Sequence, residues 1–196
     1  MPWLIGLGIV GLIKIIFFSG SKPKPPTILF IGPRGSGKTT LATFFASGTY
    51  PSRSVSTGAT SIETIETNDF VSVKIIDTRG SQPGASASIL HDEWGKLAED
   101  IGDSGRVVYV VSAADLFDGS KNANVVKDAQ WVRRHLKKHQ VMQVVTHVDA
   151  SPLLASEGFG QLSKAIGEPI WSGNLLDKES ATELCHLIGE SLKSGK

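Results

Sequence analysis

The chain has 196 residues, and its 20 basic and 19 acidic side chains leave a formal net charge of +1. This length suits one compact domain with a substantial core, and the near balance of charge gives no reason to expect a nucleic-acid partner. The single cysteine, Cys185, excludes an intrachain disulfide and a zinc site built from several cysteines.

The first segment of the chain is apolar. Residues 3–18, WLIGLGIVGLIKIIFF, are interrupted only by Lys14. A helix that is apolar on every face belongs in lipid or in a core, and sixteen residues rise roughly 24 Å, slightly short of the hydrocarbon thickness of about 30 Å. We therefore predict a membrane-anchoring helix over residues 1–18, and the favoured interpretation is that it spans the bilayer. An interfacial helix normally has a polar face, and a cleaved signal peptide has basic residues before its apolar run, so both alternatives fit less well.

A basic, proline-rich linker follows the apolar segment at residues 19–26, SGSKPKPP. Residues 1–26 hold three lysines and no acid, so the rest of the chain has 17 basic and 19 acidic residues, a net charge of −2. Positive charge next to a membrane segment marks its cytoplasmic side. We therefore expect a single-pass membrane protein that contacts the lipid bilayer through residues 3–18, with the domain of residues 27–196 on the cytoplasmic side.

Beyond the linker, β-like runs alternate with helical patterns. Strands are predicted at residues 27–32, 106–113, 141–149 and 168–172, with a hairpin formed by SIETIE (61–66) and FVSVKIID (70–77). Helices are predicted at residues 38–48, 86–101, 121–139, 156–166 and 176–193. This alternation predicts an α/β fold with a doubly wound sheet, parallel apart from the hairpin strand, and helices on both faces.

The first chemical motif is GPRGSGKTT, residues 32–40, which matches G-x-x-x-x-G-K-[ST] between a strand and a helix. The glycines let successive backbone N–H groups face phosphate oxygens, the lysine adds positive charge, and the threonine hydroxyl after it suits Mg²⁺. We predict that this loop binds the phosphates of a nucleotide, and that the residues involved are Gly32, Pro33, Arg34, Gly35, Ser36, Gly37, Lys38, Thr39 and Thr40.

The second motif is KIIDTRG, residues 74–80. Its apolar strand brings Asp77 to the carboxyl edge of the sheet, where the carboxylate can hold Mg²⁺ through water. Gly80 follows three residues later and can place a backbone N–H near a γ-phosphate. The phosphate loop and this motif together indicate a nucleoside triphosphate bound with Mg²⁺.

The third motif, THVD at residues 146–149, stands where Ras-like GTP-binding proteins carry [N/T]-K-x-D. The motifs, taken in order, resemble small GTPases of the translation-factor-related P-loop class. This resemblance implies that Thr146, His147 and Asp149 lie at a guanine base, since a carboxylate can accept from N1–H and the 2-amino group together. It also implies that the turn at Ser172 and Gly173 lies beside the base. His147 replaces the family's lysine.

The resemblance further implies a threonine that meets Mg²⁺ only in the triphosphate state. Thr57 has the spacing seen in Arf-like proteins, whereas Thr60 resembles the β subunit of the signal recognition particle receptor, and both remain open. A glutamine that orients the attacking water commonly follows D-x-x-G directly. Ser81 holds that place here and Gln82 follows it, so we predict slow hydrolysis with Gly80, Ser81 and Gln82 at the reacting phosphate.

The resemblance covers roughly residues 27–175. An anchor followed by a bare GTP-binding domain is most similar to the β subunit of the signal recognition particle receptor, with Arf/Sar proteins as near relatives. It implies GTP or GDP and Mg²⁺ as cofactors, and a protein effector or complex subunit at the membrane as the partner. Two alternatives remain: a GTP-binding module that recruits a partner without significant hydrolysis, and a P-loop ATPase.

Overall fold

The computed structural model of the chain describes residues 26–50, 61–65, 73–78, 97, 99, 101–102, 104–135, 141–148, 157–166 and 170–193. The strands in these ranges are β1 (Thr27–Ile31), β2 (Ser61–Ile65), β3 (Val73–Asp77), β4 (Arg106–Ser112), β5 (Val141–Thr146) and β6 (Ile170–Ser172). The helices of four or more residues are α1 (Lys38–Ser47), α2 (Ala113–Phe117), α3 (Gly119–His135), α4 (Glu157–Ile166) and α5 (Lys178–Lys193).

The strands form one sheet in the order β2-β3-β1-β4-β5-β6. Five of them run parallel, and β2 pairs with β3 in the antiparallel direction. This confirms the predicted α/β class, the mostly parallel sheet and the hairpin. Placing β1 between β3 and β4 brings the residues after three separate strands to one edge of the sheet.

Strand β1 explains why both faces of the sheet are covered. Ile28 and Phe30 pack in a core cluster that includes side chains of α1 and α5, whereas Leu29 and Ile31 pack in a second cluster with α2, α3 and α4. A strand that is buried on both faces is expected to be a continuous apolar run rather than an alternating one. The run TILFI therefore forms a central strand, and the predicted helices on both faces are confirmed.

The structure differs from the sequence prediction after β4. A short helix, α2, precedes the long helix, which begins at Gly119 rather than at residue 121. Asp118 separates the two helices: its backbone is extended and its N–H donates to Ala114 O at 3.2 Å. Its carboxylate accepts from the backbone N–H of Ser120 at 3.0 Å and from the hydroxyl at 2.6 Å. A side-chain carboxylate at a helix start takes up free N–H groups, so one residue both ends α2 and caps α3.

Two predicted helices lie wholly or largely outside the described residues. These are the anchor of residues 1–18 and most of the helix of residues 86–101, of which residues 97, 99 and 101 are described and helical. Within the ranges given above, no helix combines the length and apolar character that crossing a membrane requires. The predicted anchor stays a prediction.

Candidate functional site

The carboxyl ends of β1, β3, β5 and β6 share one edge of the sheet. The loop of residues 32–37 follows β1 and leads into α1, Asp77 ends β3, and Thr146 ends β5. In open α/β sheets, ligands bind in the crevice outside the carboxyl ends of the strands. The predicted site residues that the structure describes therefore collect at the edge where a ligand is expected.

Two glycines give the loop its path. A Cβ on Gly32 would lie 1.9 Å from the carbonyl oxygen of Val110 in β4, so the chain passes too close to the neighbouring strand for any side chain. Gly37 caps α1 with a φ of 83°, a left-handed conformation that glycine adopts without strain. A Cβ there would also lie 2.7 Å from a side-chain carbon of Leu175. The glycines of the motif thus serve the backbone geometry that a phosphate loop needs.

Lys38 lies beneath this loop. It is 4% exposed, and its Nζ donates to the carbonyl oxygen of Pro33 at 2.7 Å. Burial lowers the pKa of Lys38 to about 8, although the carboxylate of Asp77 acts in the opposite direction. A partly desolvated ammonium attracts an anion more strongly than one in water, so the arrangement suits a phosphate group that enters the loop.

The Thr39 hydroxyl donates to Oδ2 of Asp77 at 2.7 Å. Two residues 38 positions apart meet because β1 and β3 are neighbours, with Phe30 in register with Asp77. Hydroxyl and carboxylate oxygens are ligands that Mg²⁺ prefers. Among the described residues, no three His, Cys, Asp or Glu side chains form a metal cluster. Mg²⁺ at this pair would therefore take further oxygens from water and phosphate, and the residues present fit that demand.

Sequence reasoning missed the role of Thr78. This buried residue follows Asp77, and both its backbone N–H and its hydroxyl donate to Phe30 O, at 3.2 and 3.0 Å. The two bonds tie the end of β3 to the end of β1, which holds Asp77 beside Thr39. The available sequence signal was a threonine directly after a strand-end aspartate.

Thr146 contacts the phosphate loop through its side chain. Its fully buried hydroxyl lies 2.7 Å from Ser36 O, 3.3 Å from Val111 O and 2.9 Å from Nδ1 of His147. His147 has a φ of 58°, which is uncommon for a residue other than glycine. The two residues predicted to lie at the base are thus joined to the loop predicted to bind the phosphates.

The turn after β6 uses its backbone donors within the protein. The Gly173 N–H donates to Val145 O at 3.0 Å, and the Asn174 N–H donates to the Ser180 hydroxyl at 2.9 Å. Ser172 is exposed. The Gly173 N–H is therefore already paired, whereas the Ser172 side chain is accessible from solvent.

The remaining loop residues differ in exposure. Arg34 and Gly35 are exposed, whereas Ser36 is completely buried and its Oγ has no hydrogen-bond partner among the described residues. Thr40 is half-buried on α1. Arg34 thus lies on the outside of the loop in this structure. The remaining predicted site residues lie outside the described ranges: Thr57, Thr60, Gly80, Ser81, Gln82 and Asp149.

The chain matches no protein-family model, and a comparison with curated proteins finds no relative. Its fold is similar to a solved structure of the small GTPase Arl6 (BBS3) from Trypanosoma brucei with the bound nucleotide analogue GppNp. The two chains are 20% identical over 88% of this chain and 100% of that one, with a TM-score of 0.60. At this identity the similarity concerns the fold, and it confirms the predicted resemblance to the Ras-like P-loop fold of small GTPases.

Proposed function

We propose that this chain is a GTP-binding protein that acts as a nucleotide-dependent switch, or as the nucleotide-binding subunit of a complex, and that it hydrolyses GTP slowly. The observation that carries the proposal is the contact between the Thr39 hydroxyl and Asp77, 2.7 Å apart, next to the buried ammonium of Lys38. The similarity in fold to a small GTPase with a bound nucleotide analogue supports it.

The described residues suggest how the phosphates would be held. Backbone N–H groups of residues 34–38, at the start of α1, would supply donors, and Lys38 would exchange its bond to Pro33 O for phosphate oxygens. Thr39 would bind Mg²⁺ directly and Asp77 through water, joined by Thr57 or Thr60. Mg²⁺, when bound, neutralises charge that develops on the phosphate oxygens. Most of the rate enhancement then comes from positioning and electrostatic stabilisation.

Guanine is the base we propose, because THVD begins at Thr146, the last residue of β5, and the Thr146 hydroxyl contacts Ser36 O of the loop. Asp149 would accept from N1–H and the 2-amino group of guanine, and Ser172 would lie beside the base. Adenine lacks that pair of donors, so a carboxylate at this place disfavours ATP. The preference for guanine therefore depends chiefly on Asp149.

Slow turnover follows from the residues after Asp77. Water must attack the γ-phosphate, and the residue directly after D-x-x-G commonly orients it. Ser81 is too short to do so in the way a glutamine does, and Gln82 is displaced by one position. The same observation favours a second candidate function, a GTP-binding module that recruits a partner to the membrane without significant hydrolysis.

The first experiment measures nucleotide binding and turnover together. Full-length protein in detergent is titrated with fluorescent GDP, GTP and ATP in the presence of Mg²⁺, while phosphate release is followed in the same samples. We expect binding of both guanine nucleotides, no binding of ATP and slow phosphate release. Binding of ATP would favour the ATPase alternative, and hydrolysis within minutes without a partner would contradict slow turnover.

Guanine recognition has a sharper test in Asp149→Asn. An amide offers a donor where the carboxylate accepts, so the change should weaken GTP binding and favour xanthosine triphosphate, whose 2-oxo group accepts. Asp177→Asn, a change of an exposed aspartate on the turn before α5, serves as the control and should leave the base preference unaltered. An unchanged preference in Asp149→Asn would remove Asp149 from the base site.

A further inference from the structure

The hydroxyl of Thr146 is surrounded by three polar atoms, and together they determine where its hydrogen lies. Ser36 O is 2.7 Å away, Nδ1 of His147 is 2.9 Å away and Val111 O is 3.3 Å away. A carbonyl oxygen only accepts hydrogen bonds, whereas a hydroxyl has one hydrogen to donate. Two oxygens 2.7 Å apart need a hydrogen between them, so the Thr146 hydroxyl donates to Ser36 O.

This assignment determines the state of the histidine ring. Because the only hydrogen of the Thr146 hydroxyl points to Ser36 O, the 2.9 Å contact with Nδ1 of His147 must be a bond that the histidine donates. In its neutral form His147 therefore carries its proton on Nδ1, a tautomer assigned here from the hydrogen-bond network. The result is a chain of two hydrogen bonds: the imidazole donates to the hydroxyl of Thr146, and this hydroxyl donates to the carbonyl of Ser36.

We propose that His147 is a positioning residue for the phosphate loop. Its Nδ1–H orients the buried hydroxyl of Thr146, and this hydroxyl holds the carbonyl of Ser36 so that the loop keeps the shape that accepts phosphates. The consequence for phosphate binding rests on the proposed function, whereas the hydrogen-bonded chain consists of protein groups alone. It assigns to His147 a task distinct from contact with the base.

The backbone of His147 supports a positional role. Its φ of 58° is left-handed, a conformation that costs an ordinary side chain roughly 1–2 kcal/mol. Asparagine, aspartate and histidine are the side chains that occur there most often. Strained backbone of this kind collects at functional sites and persists where the surroundings compensate for it. The bond to Thr146 is one interaction that holds the ring in place.

Three substitutions separate the hydrogen bond from the backbone strain. His147→Asn keeps a donor at the position of Nδ1, whereas aspartate in His147→Asp has the shape of asparagine but offers only acceptors. His147→Gly removes the side chain and tolerates a positive φ. His186→Asn serves as the control, because His186 lies on α5 with 72% of its side chain exposed. All four variants are compared with wild type as full-length protein.

The main measurement is hydrogen exchange of the amides of residues 34–39 in nucleotide-free protein. We expect exchange about fivefold faster in His147→Gly and His147→Asp, from the loss of one hydrogen bond, and near-wild-type exchange in His147→Asn and His186→Asn. Wild-type exchange in His147→Gly or His147→Asp, or fast exchange in His147→Asn, would overturn the proposal. Because no nucleotide is present, base contacts do not affect this result.

A second measurement needs no substitution. Long-range ¹H–¹⁵N correlation spectra of the histidine rings report which nitrogen carries the proton, and we expect the Nδ1–H tautomer for neutral His147. An Nε2–H tautomer would refute the donor chain directly. Binding of GTP to wild-type protein is measured alongside. Its absence would contradict the proposed function, whereas the exchange and tautomer measurements would still test the hydrogen bonds of His147.

Discussion

At the scale of single residues, the site combines groups that are unfavourable for folding but favourable for binding an anion. Lys38 is the clearest case, because it places an ammonium at 4% exposure with a carbonyl as its nearest acceptor. Burial lowers its pKa from the ordinary value of 10.5 to about 8. Removing this buried charge should stabilise the nucleotide-free protein and weaken the proposed binding of phosphate.

Lys38→Met tests these opposite effects on stability and on nucleotide affinity. At pH 7 we expect the free energy of unfolding of the nucleotide-free protein to rise by roughly 1–3 kcal/mol, and GTP affinity to fall roughly 100-fold. Between about pH 8 and 10.5 the unfolded wild type binds more protons than the folded one, so wild-type stability rises and the advantage of the variant shrinks. Urea unfolding at several pH values measures this, with Lys127→Met, at an exposed lysine on α3, as the control.

Gly32 and Gly35 provide a matched pair within the loop. Gly32→Ala puts a Cβ 1.9 Å from Val110 O, and backbone must move to relieve it, whereas Gly35→Ala meets nothing within 4 Å and bears only the strain of a φ of 79°. We expect losses in the free energy of unfolding of roughly 3 kcal/mol or more for the first and about 1 kcal/mol for the second. Equal losses in chemical denaturation would show that β4 does not constrain the loop.

At the scale of elements, helix α5 is held to the opposite edge of the sheet by Arg106 at the start of β4. Its Nε donates to Ser191 O at 2.9 Å and its Nη1 donates to Gly105 O at 2.9 Å. The side chain is 1% exposed, and burial lowers the pKa of Arg106. A cation at the carboxyl end of a helix satisfies carbonyls that have no partner within the helix.

Arg106→Met should therefore loosen the end of α5 before it affects the rest of the molecule. We expect the free energy of unfolding to fall by roughly 1–3 kcal/mol, with faster hydrogen exchange at residues 188–192. Arg134→Met, at an exposed position on α3, should change neither quantity. If exchange at the end of α5 were unaltered in Arg106→Met, the cap would not be the interaction that orders this helix.

The break between α2 and α3 shows which element-scale features sequence patterns miss. Helical periodicity predicted the long helix and most of its length, because its apolar side chains recur every three to four residues and reach the core. The preceding helix of five residues is too short to show periodicity. The start of the long helix depends on the carboxylate of Asp118 and the N–H of Ser120, a local contact that an aspartate followed by glycine and serine permits but does not require.

At the scale of the whole molecule, the predicted anchor would determine where the proposed switch works. We expect full-length protein to remain with lipid vesicles during flotation and to resist extraction at alkaline pH, because an apolar helix that spans the bilayer is not held by charge. Protein lacking residues 1–18 should stay in solution. Extraction of the full-length chain would indicate an interfacial helix, and failure of the full-length chain to float would exclude an anchor.

Local motifs predicted which residues form the site, whereas tertiary structure determines which of them contact one another. Lys38, Thr39 and Asp77 were each predicted from short patterns, since a phosphate loop and a strand-end aspartate depend on local sequence. That Thr39 and Asp77 lie 2.7 Å apart depends on β1 and β3 being neighbours, which neither motif contains. Thr146 was predicted to lie at the base, but the bond from its hydroxyl to Ser36 O required β5 to be positioned in the sheet.

The sequence alone determined the alternating elements, the two-faced burial of the central strands and the position of the glycine-rich loop after β1, because these depend on residue type and spacing along the chain. Tertiary structure decided the strand order, the pairing of Thr39 with Asp77, the cap of Arg106 on α5 and the donor chain from His147 to Ser36. The physical reason is that a hydrogen bond between distant residues is specified by the packing that brings them together, and packing is a property of the whole sheet.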